Sequence, residues 1–205
     1  MVNAVILAGD SNKGAVEQEV ENKSLLEINQ RPMVEYVVNA LREAYTVGKL
    51  SIVGPVDVLR PLLEDRVDFY FHDVGSLFEN ARIGMEPFAS DHRVLIVTSD
   101  IPMISGEAID DFVQKSMDTG CDLCYPIVDK QTNELKFPEA KRTYVKLKEG
   151  TFTGGNIFLV NPAIVDRCEK FALKLIEYRK KPWKTGRLLG LRFLIMLFAG
   201  ILSIP

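Results

Sequence analysis

The sequence predicts an α/β fold, a three-layer α/β/α sandwich on a mostly parallel mixed sheet, and three observations predict it. Short β-rich runs alternate with helical patterns through residues 3–160, the order of parallel sheets joined by crossover helices. Two runs, NAVILA at 3–8 and RVLIVT at 93–98, are nearly continuous apolar stretches, as expected of central strands covered on both faces. The 205 residues are 47% hydrophobic and 26% charged. That mix suits one core of ordinary domain size and excludes disordered, collagen-like and disulfide-stapled chains.

In chain order, strands are expected at 3–8, 50–53, 67–72, 93–98, 121–128, 143–147 and 156–160, each a run rich in β-branched or aromatic residues. Pro32 stands where a helix can begin, and Met33, Val37, Leu41 and Ala44 follow at helical spacing. Ser76-Leu-Phe-Glu79 fits a capping box opening a helix through residue 86. Ser105 can cap a helix through Thr119 that Gly120 stops. Asn161-Pro162 caps another that runs into the basic segment. No repeat or linker divides the chain, so residues 1–205 are expected to form one domain.

The charge balance of 25 basic to 28 acidic side chains, net -3, gives no reason to expect a nucleic-acid partner. It conceals an asymmetry: residues 169–205 carry +6, leaving -9 on residues 1–168. Residues 186–205 form an apolar segment of helical character. Its 17-residue stretch from Leu188 to Ile204 is broken by Gly190, Arg192 and Gly200. That length is the lower limit for a spanning helix, and an arginine within it costs roughly 2.5–3.5 kcal/mol on insertion. A helix covered by the fold, by a partner or by a second copy is favoured over membrane contact. Three cysteines and a start on Val2–Ala8 without a basic region or cleavage site suit a cytoplasmic protein.

Ligands of open α/β sheets gather at the carboxyl ends of strands. The first such end reads Leu7-Ala8-Gly9-Asp10-Ser11-Asn12-Lys13-Gly14-Ala15. Its glycines, small polar residues and lysine suit either a flexible loop or a wrap of N–H groups and a cation around phosphates. It is not a P-loop, because Ala15-Val16 stand where Lys-Ser/Thr is required. Asn22-Lys23-Ser24-Leu25-Leu26 returns a lysine just before the first helix. The fourth strand ends in Thr98-Ser99-Asp100-Ile101-Pro102, a carboxylate placed to hold Mg2+ together with substrate phosphates. Cys121 and Cys124 have redox-motif spacing but fall in an apparent strand, where core packing is expected. Lys146 and Lys148 alternate along another strand and read as a solvated face.

Leu7-Ala8-Gly9, the Lys23–Val37 segment, Ser99-Asp100-Ile101-Pro102 and Gly154-Gly155-Asn156-Ile157 together resemble nucleotidyltransferases of the molybdenum-cofactor guanylyltransferase-like type. The resemblance spans most of residues 3–160 and implies a Rossmann-like, glycosyltransferase-A-type fold. It also implies transfer of a nucleoside monophosphate from a nucleoside triphosphate to a small phosphorylated or hydroxyl acceptor, with Mg2+ as cofactor. Leu7, Ala8, Gly9, Ser11 and Asn12 would then lie along the nucleotide. Lys13 and Lys23 would be the catalytic cations and Asp100 the metal ligand. Gly75 and Ser76 would stand near the base, although Ser76 serves equally as a helix cap. Gly154, Gly155 and Asn156 would flank the acceptor, or form a turn entering a strand. Two departures stand out. Asp10 occupies a position where the family commonly has glycine, and no carboxylate follows Glu177 in the final 28 residues. The family usually supplies a second metal-binding Asp near its C-terminal end, so either the domain lacks that end, as expected, or its metal site is incomplete. A glycosyltransferase-like enzyme using a nucleotide sugar and a non-catalytic binding relative are the alternatives.

Overall fold

The computed structural model describes residues 1–9, 22–140 and 142–178. In chain order its strands are β1 (Val2–Leu7), β2 (Glu27–Ile28), β3 (Arg31–Pro32), β4 (Val47–Gly54), β5 (Phe69–His72), β6 (Val94–Thr98), β7 (Leu123–Cys124), β8 (Ile127–Asp129), β9 (Val145–Leu147), β10 (Gly150–Gly154) and β11 (Ile157–Val160). Its helices are α1 (Met33–Glu43), α2 (Val56–Leu63), α3 (Leu77–Met85), α4 (Gly106–Asp118), α5 (Lys130–Lys136) and α6 (Val165–Tyr178). They fall into two compact units, one of Met1–Cys124 with Asn156–Asp166, the other of Tyr125–Gly155 with the chain from Arg167.

The first unit is built on a six-stranded sheet in the order β5-β4-β1-β6-β11-β7. β1 is parallel to both of its neighbours, β4 and β6, and β5 is parallel to β4. β11 runs antiparallel to β6 and to β7, which makes the sheet mixed but mostly parallel. The apolar runs expected to be central are central. Along β1, Ala4 and Ile6 join one buried cluster with Val37, Leu41, Leu59 and Ile109 of α1, α2 and α4. Val5 and Leu7 point the other way, into a cluster with Met85 and Phe88, against which Leu77 of α3 and Val165 of α6 pack. The strand period of two thus divides consecutive residues between two apolar layers, and three layers result.

The helix starts follow from capping chemistry. Ser76 Oγ accepts the Glu79 N–H at 3.1 Å, and Ser105 Oγ accepts the Ala108 N–H at 3.2 Å, satisfying donors that a helix leaves open. Gly120, at φ +66°, follows the end of α4. Asn161 Oδ1 accepts the Ala163 N–H in a short 3-10 turn that leads into α6.

The second unit carries a three-stranded antiparallel sheet, β8-β10-β9, and α5, whose first N–H groups are accepted by Asp129 Oδ1. Lys146 and Lys148 are exposed there, as alternation along the strand suggests.

Two expectations are corrected. Residues 121–128 are not one strand: β7 and β8 are separated at Tyr125-Pro126, where proline has no N–H for a ladder and its carbonyl instead accepts the Gly155 N–H at 3.0 Å. Cys121 is exposed rather than packed in the core, because it sits in the turn after Gly120 and ahead of β7. Cys124 is half-buried, with its thiol 3.7 Å from the Ser116 carbonyl. The elements not anticipated are α2, α5, β10 and the small β2–β3 hairpin. Among the described residues no helix is long and apolar enough to cross a membrane. The apolar segment 186–205 lies outside the described residues.

Candidate active site

Four of the expected site positions, Leu7, Ala8, Lys23 and Asp100, are tied to the carboxyl end of β1. Ala8 follows that end with a fully buried side chain, and its N–H donates to the Val53 carbonyl at 2.8 Å. The Ala8 carbonyl accepts the buried Asn22 amide at 2.8 Å. Asn22 Oδ1 in turn accepts the Ser24 N–H at 2.8 Å, capping the 3-10 turn Lys23–Leu25. One side chain therefore joins the Lys23 turn to the first strand end and sets half-buried Lys23 beside it. On the other flank, the Leu7 carbonyl accepts the Ser99 N–H at 3.1 Å, so the chain leaves β6 toward Asp100 alongside the same end. Leu7 and Ala8 are core residues whose polar groups mostly fasten neighbouring segments. Ser11, Asn12 and Lys13, and with them Asp10, lie outside the described residues.

Gly9 has a packing reason to be glycine. A Cβ there would come within 2.6 Å of Asp73 Oδ2 and 2.7 Å of Asn80 Nδ2. Asp73 Oδ1 accepts the Gly75 N–H at 2.7 Å and the Asn80 amide at 2.8 Å, while Asn80 Oδ1 accepts the Val74 N–H at 2.9 Å. Asn80 is 2% exposed. These bonds order the 73–76 segment, and with it Gly75 (φ +91°) and Ser76, beside Gly9. Asp73 and Asn80 escaped sequence reasoning. The available signals were an Asp two residues before a glycine, which favours an Asx turn, and an asparagine on the otherwise apolar face of α3.

Asp100 is exposed, and its carboxylate is held on one oxygen. Oδ1 accepts the Thr98 hydroxyl at 2.6 Å and the Asn156 amide at 3.3 Å. Asn156, expected near an acceptor, thus also touches the carboxylate expected to bind metal. Among the described residues no group of three or more His, Cys, Asp or Glu side chains clusters as a metal cage. An exposed carboxylate nonetheless fits Mg2+, a hard cation that keeps several waters and is completed by substrate phosphates.

Gly154 and Gly155 belong to the second unit. Gly154 pairs with Ile127, and the Tyr125 hydroxyl fills the space that a Cβ on Gly154 would need. Burial pushes the Tyr125 hydroxyl above its ordinary pKa, against the opposing pull of Arg142. A cleft of about 580 Å³ elsewhere in the first unit is lined by Glu43, Glu107, Asp110 and Asp111. It holds none of the expected residues, and its acidic wall is unsuited to a triphosphate.

A mixed α/β/α sheet with a glycine loop, a lysine and a carboxylate at the ends of β1 and β6 has the architecture of nucleotidyltransferases of the glycosyltransferase-A-like fold. Residues 4–174 match the MobA-like NTP transferase domain, and the chain belongs to that family. It is similar to a hypothetical transferase from Thermus thermophilus, with 34% identity, 98% of this chain and 83% of that chain covered, and a TM-score of 0.78. The fold alone is shared with a CMP:2-keto-3-deoxy-manno-octonic acid synthetase complexed with CTP, at 14% identity and a TM-score of 0.64, covering 98% of this chain and 86% of that one. A bifunctional protein GlmU from Thermodesulfovibrio yellowstonii is 23% identical over 124 residues. That match covers 60% of this chain, which spans about a quarter (27%) of that relative's length.

Proposed function

We propose that this chain transfers a nucleoside monophosphate from a nucleoside triphosphate to a small phosphorylated or hydroxyl acceptor in the cytoplasm, with Mg2+ as cofactor. The observation that carries the reading is Asn22: by binding the Ala8 carbonyl and capping the Lys23 turn, it puts a lysine at the strand end beside which Asp100 leaves the sheet. An acceptor oxygen attacks the α-phosphorus, the bond from that phosphorus to the bridging oxygen of the β-phosphate breaks, and pyrophosphate departs with the bonding pair. Where the acceptor is a hydroxyl, its proton is released to water. Such transfer asks a protein mainly for positioning and charge neutralisation.

In this reading Lys23 neutralises charge at the α-phosphate, with Lys13 as a second cation. The backbone from Gly9 through Asn12 follows the phosphates, Gly75 and Ser76 border the base, and Gly154, Gly155 and Asn156 border the acceptor. Asp100 would hold Mg2+, which when bound supplies charge neutralisation on the triphosphate.

The test incubates the full chain with each of the four NTPs, Mg2+ and a panel of sugar phosphates and polyols, and measures pyrophosphate. Asp100→Asn and Lys23→Ala should each lower turnover by about 10²–10³-fold, the range for removing one preorganised electrostatic partner. Release of a nucleoside diphosphate from a nucleotide sugar, with no pyrophosphate from any NTP, would overturn the reading in favour of a glycosyltransferase-like enzyme.

A further inference from the structure

We propose that Thr98 and Asn156 are positioning residues that fix the Asp100 carboxylate by one oxygen and thereby set the affinity of its other oxygen for a divalent cation. The inference rests on the reading of Asp100 as the metal carboxylate and goes beyond it by assigning how that carboxylate is aimed.

The arrangement follows from sheet register. β6 and β11 are antiparallel, with Ile157 opposite Val97, and the ladder continues one step as the Thr98 N–H donates to the Asn156 carbonyl at 3.1 Å. Thr98 and Asp100 are two residues apart. Two side chains from one strand end and one from its neighbour therefore meet at a single carboxylate. Both donors reach the same atom, Oδ1. Asp100 is exposed, and among the described residues no hydrogen bond of its side chain goes to Oδ2.

The chemistry of the donors matches the role. A hydroxyl-to-carboxylate distance of 2.6 Å is that of a charge-assisted bond, which holds the ionised acid in one rotamer. A free aspartate samples several rotamers and loses that freedom on binding a cation, whereas a clamped one has already lost it. Outer partners of this kind orient ligating carboxylates, and their loss typically lowers metal affinity about 10–100-fold. Among the described residues no group of three or more His, Cys, Asp or Glu side chains forms a cage there, which makes the aim of Asp100 more consequential for the cation.

Mn2+ is the probe, titrated into the full chain with inorganic tripolyphosphate and followed by electron paramagnetic resonance and water-proton relaxation. Tripolyphosphate supplies phosphate oxygens without presupposing a base. Thr98→Val keeps the β-branched shape of the strand, and a melting curve confirms its fold. We expect Asp100→Asn to abolish the protein-bound Mn2+ signal. Thr98→Val and Asn156→Ala should each weaken affinity by about 10-fold, and Thr98→Ser, which retains the hydroxyl, should restore it. Wild-type affinity in both Thr98→Val and Asn156→Ala overturns the inference and leaves the metal reading standing. Thr98→Ser as weak as Thr98→Val also overturns it, since the hydroxyl would then not be the active group. Absence of Mn2+ binding by the wild type overturns the metal reading and the inference with it.

Discussion

The two units hold together by different means. In the first, the fully buried side chains are those of Ile6, Leu41, Leu50, Ile52, Leu59, Leu95 and Leu159 among others, in layers on both faces of the sheet. In the second, the buried residues among those described are polar, Asn133 and Thr153 at 6% exposure each. Ile127, Leu135 and Val145 of that unit stand open to solvent at 40%, 86% and 43%. Cohesion there comes from a short ladder and a capped helix, with Asn133 donating to the Tyr144 hydroxyl at 2.9 Å and Lys130 lying over the Tyr144 ring. A doubly covered sheet can hold strand ends at fixed positions because every residue beneath them is packed. That is the unit from which Lys23 and Asp100 project.

The largest effects should therefore fall in the first unit. Leu95→Ala removes a side chain with no exposure and should destabilise by about 2–5 kcal/mol. Ile127→Ala shortens a side chain that is 40% exposed and should cost roughly 1 kcal/mol or less. Urea midpoints for the two variants measure the contrast. Equal losses would show that the apolar face of the second unit is covered in solution, and the distinction would fall.

A smaller effect separates the polar buried groups. Asp110 is 7% exposed and accepts the Thr46 N–H at 2.9 Å, the Thr46 hydroxyl at 2.6 Å and the Tyr45 N–H at 3.3 Å. It fastens the turn that feeds β4. Asp110→Ala leaves those donors without their partner and should cost about 2–3 kcal/mol, read from thermal or urea unfolding. Asn133→Ala breaks one neutral bond within the second unit and should cost about 1 kcal/mol. An Asn133→Ala loss exceeding that of Asp110→Ala would reverse the ranking of the two units.

The same contrast explains which parts were legible in the sequence. The strands NAVILA and RVLIVT and the helix α1 announce themselves by apolar runs and helical spacing, because burial on two faces or along one stripe is what those patterns record. The second unit leaves little apolar record. β10 reads Gly-Thr-Phe-Thr-Gly and α5 reads Lys-Gln-Thr-Asn-Glu-Leu-Lys, so neither shows periodicity, and only the cap at Asp129 marks the helix. α2 hid for another reason: Pro55 precedes it and Pro61 lies within it, which reads as interrupted chain. At the candidate site, Gly9, Lys23 and Asp100 could be named as candidates because they end or follow recognisable elements. Asn22, Asp73 and Asn80 were not, since their importance lies in side-chain hydrogen bonds that order turns and loops, which apolar periodicity does not record.

The smallest expected effect concerns acid. Asp68 stands before β5 and its Oδ2 accepts Arg42 and the Leu50 N–H, both at 2.8 Å. Partial burial alone would raise its pKa, but the Leu50 bond, the bond and charge of Arg42, and the charge of Lys49 together hold it below the ordinary 3.8. A carboxylate depressed in the folded state binds its proton more readily when unfolded. Its stabilisation is fully present above the unfolded value and is lost as pH falls from about 3.8 through the lower folded value. In the second unit Lys130 and Glu134 pair at 3.6 Å within one helix turn, and such exposed local pairs contribute little. Acid loss below pH 4 should then pass measurably through Asp68. Asp68→Asn should flatten the urea midpoint against pH in that window, and salt should shrink the difference because the Arg42 pair is partly exposed. Identical slopes in wild type and variant would assign the acid sensitivity to other carboxylates, and the long-range pairs of the first unit would lose their claim to it.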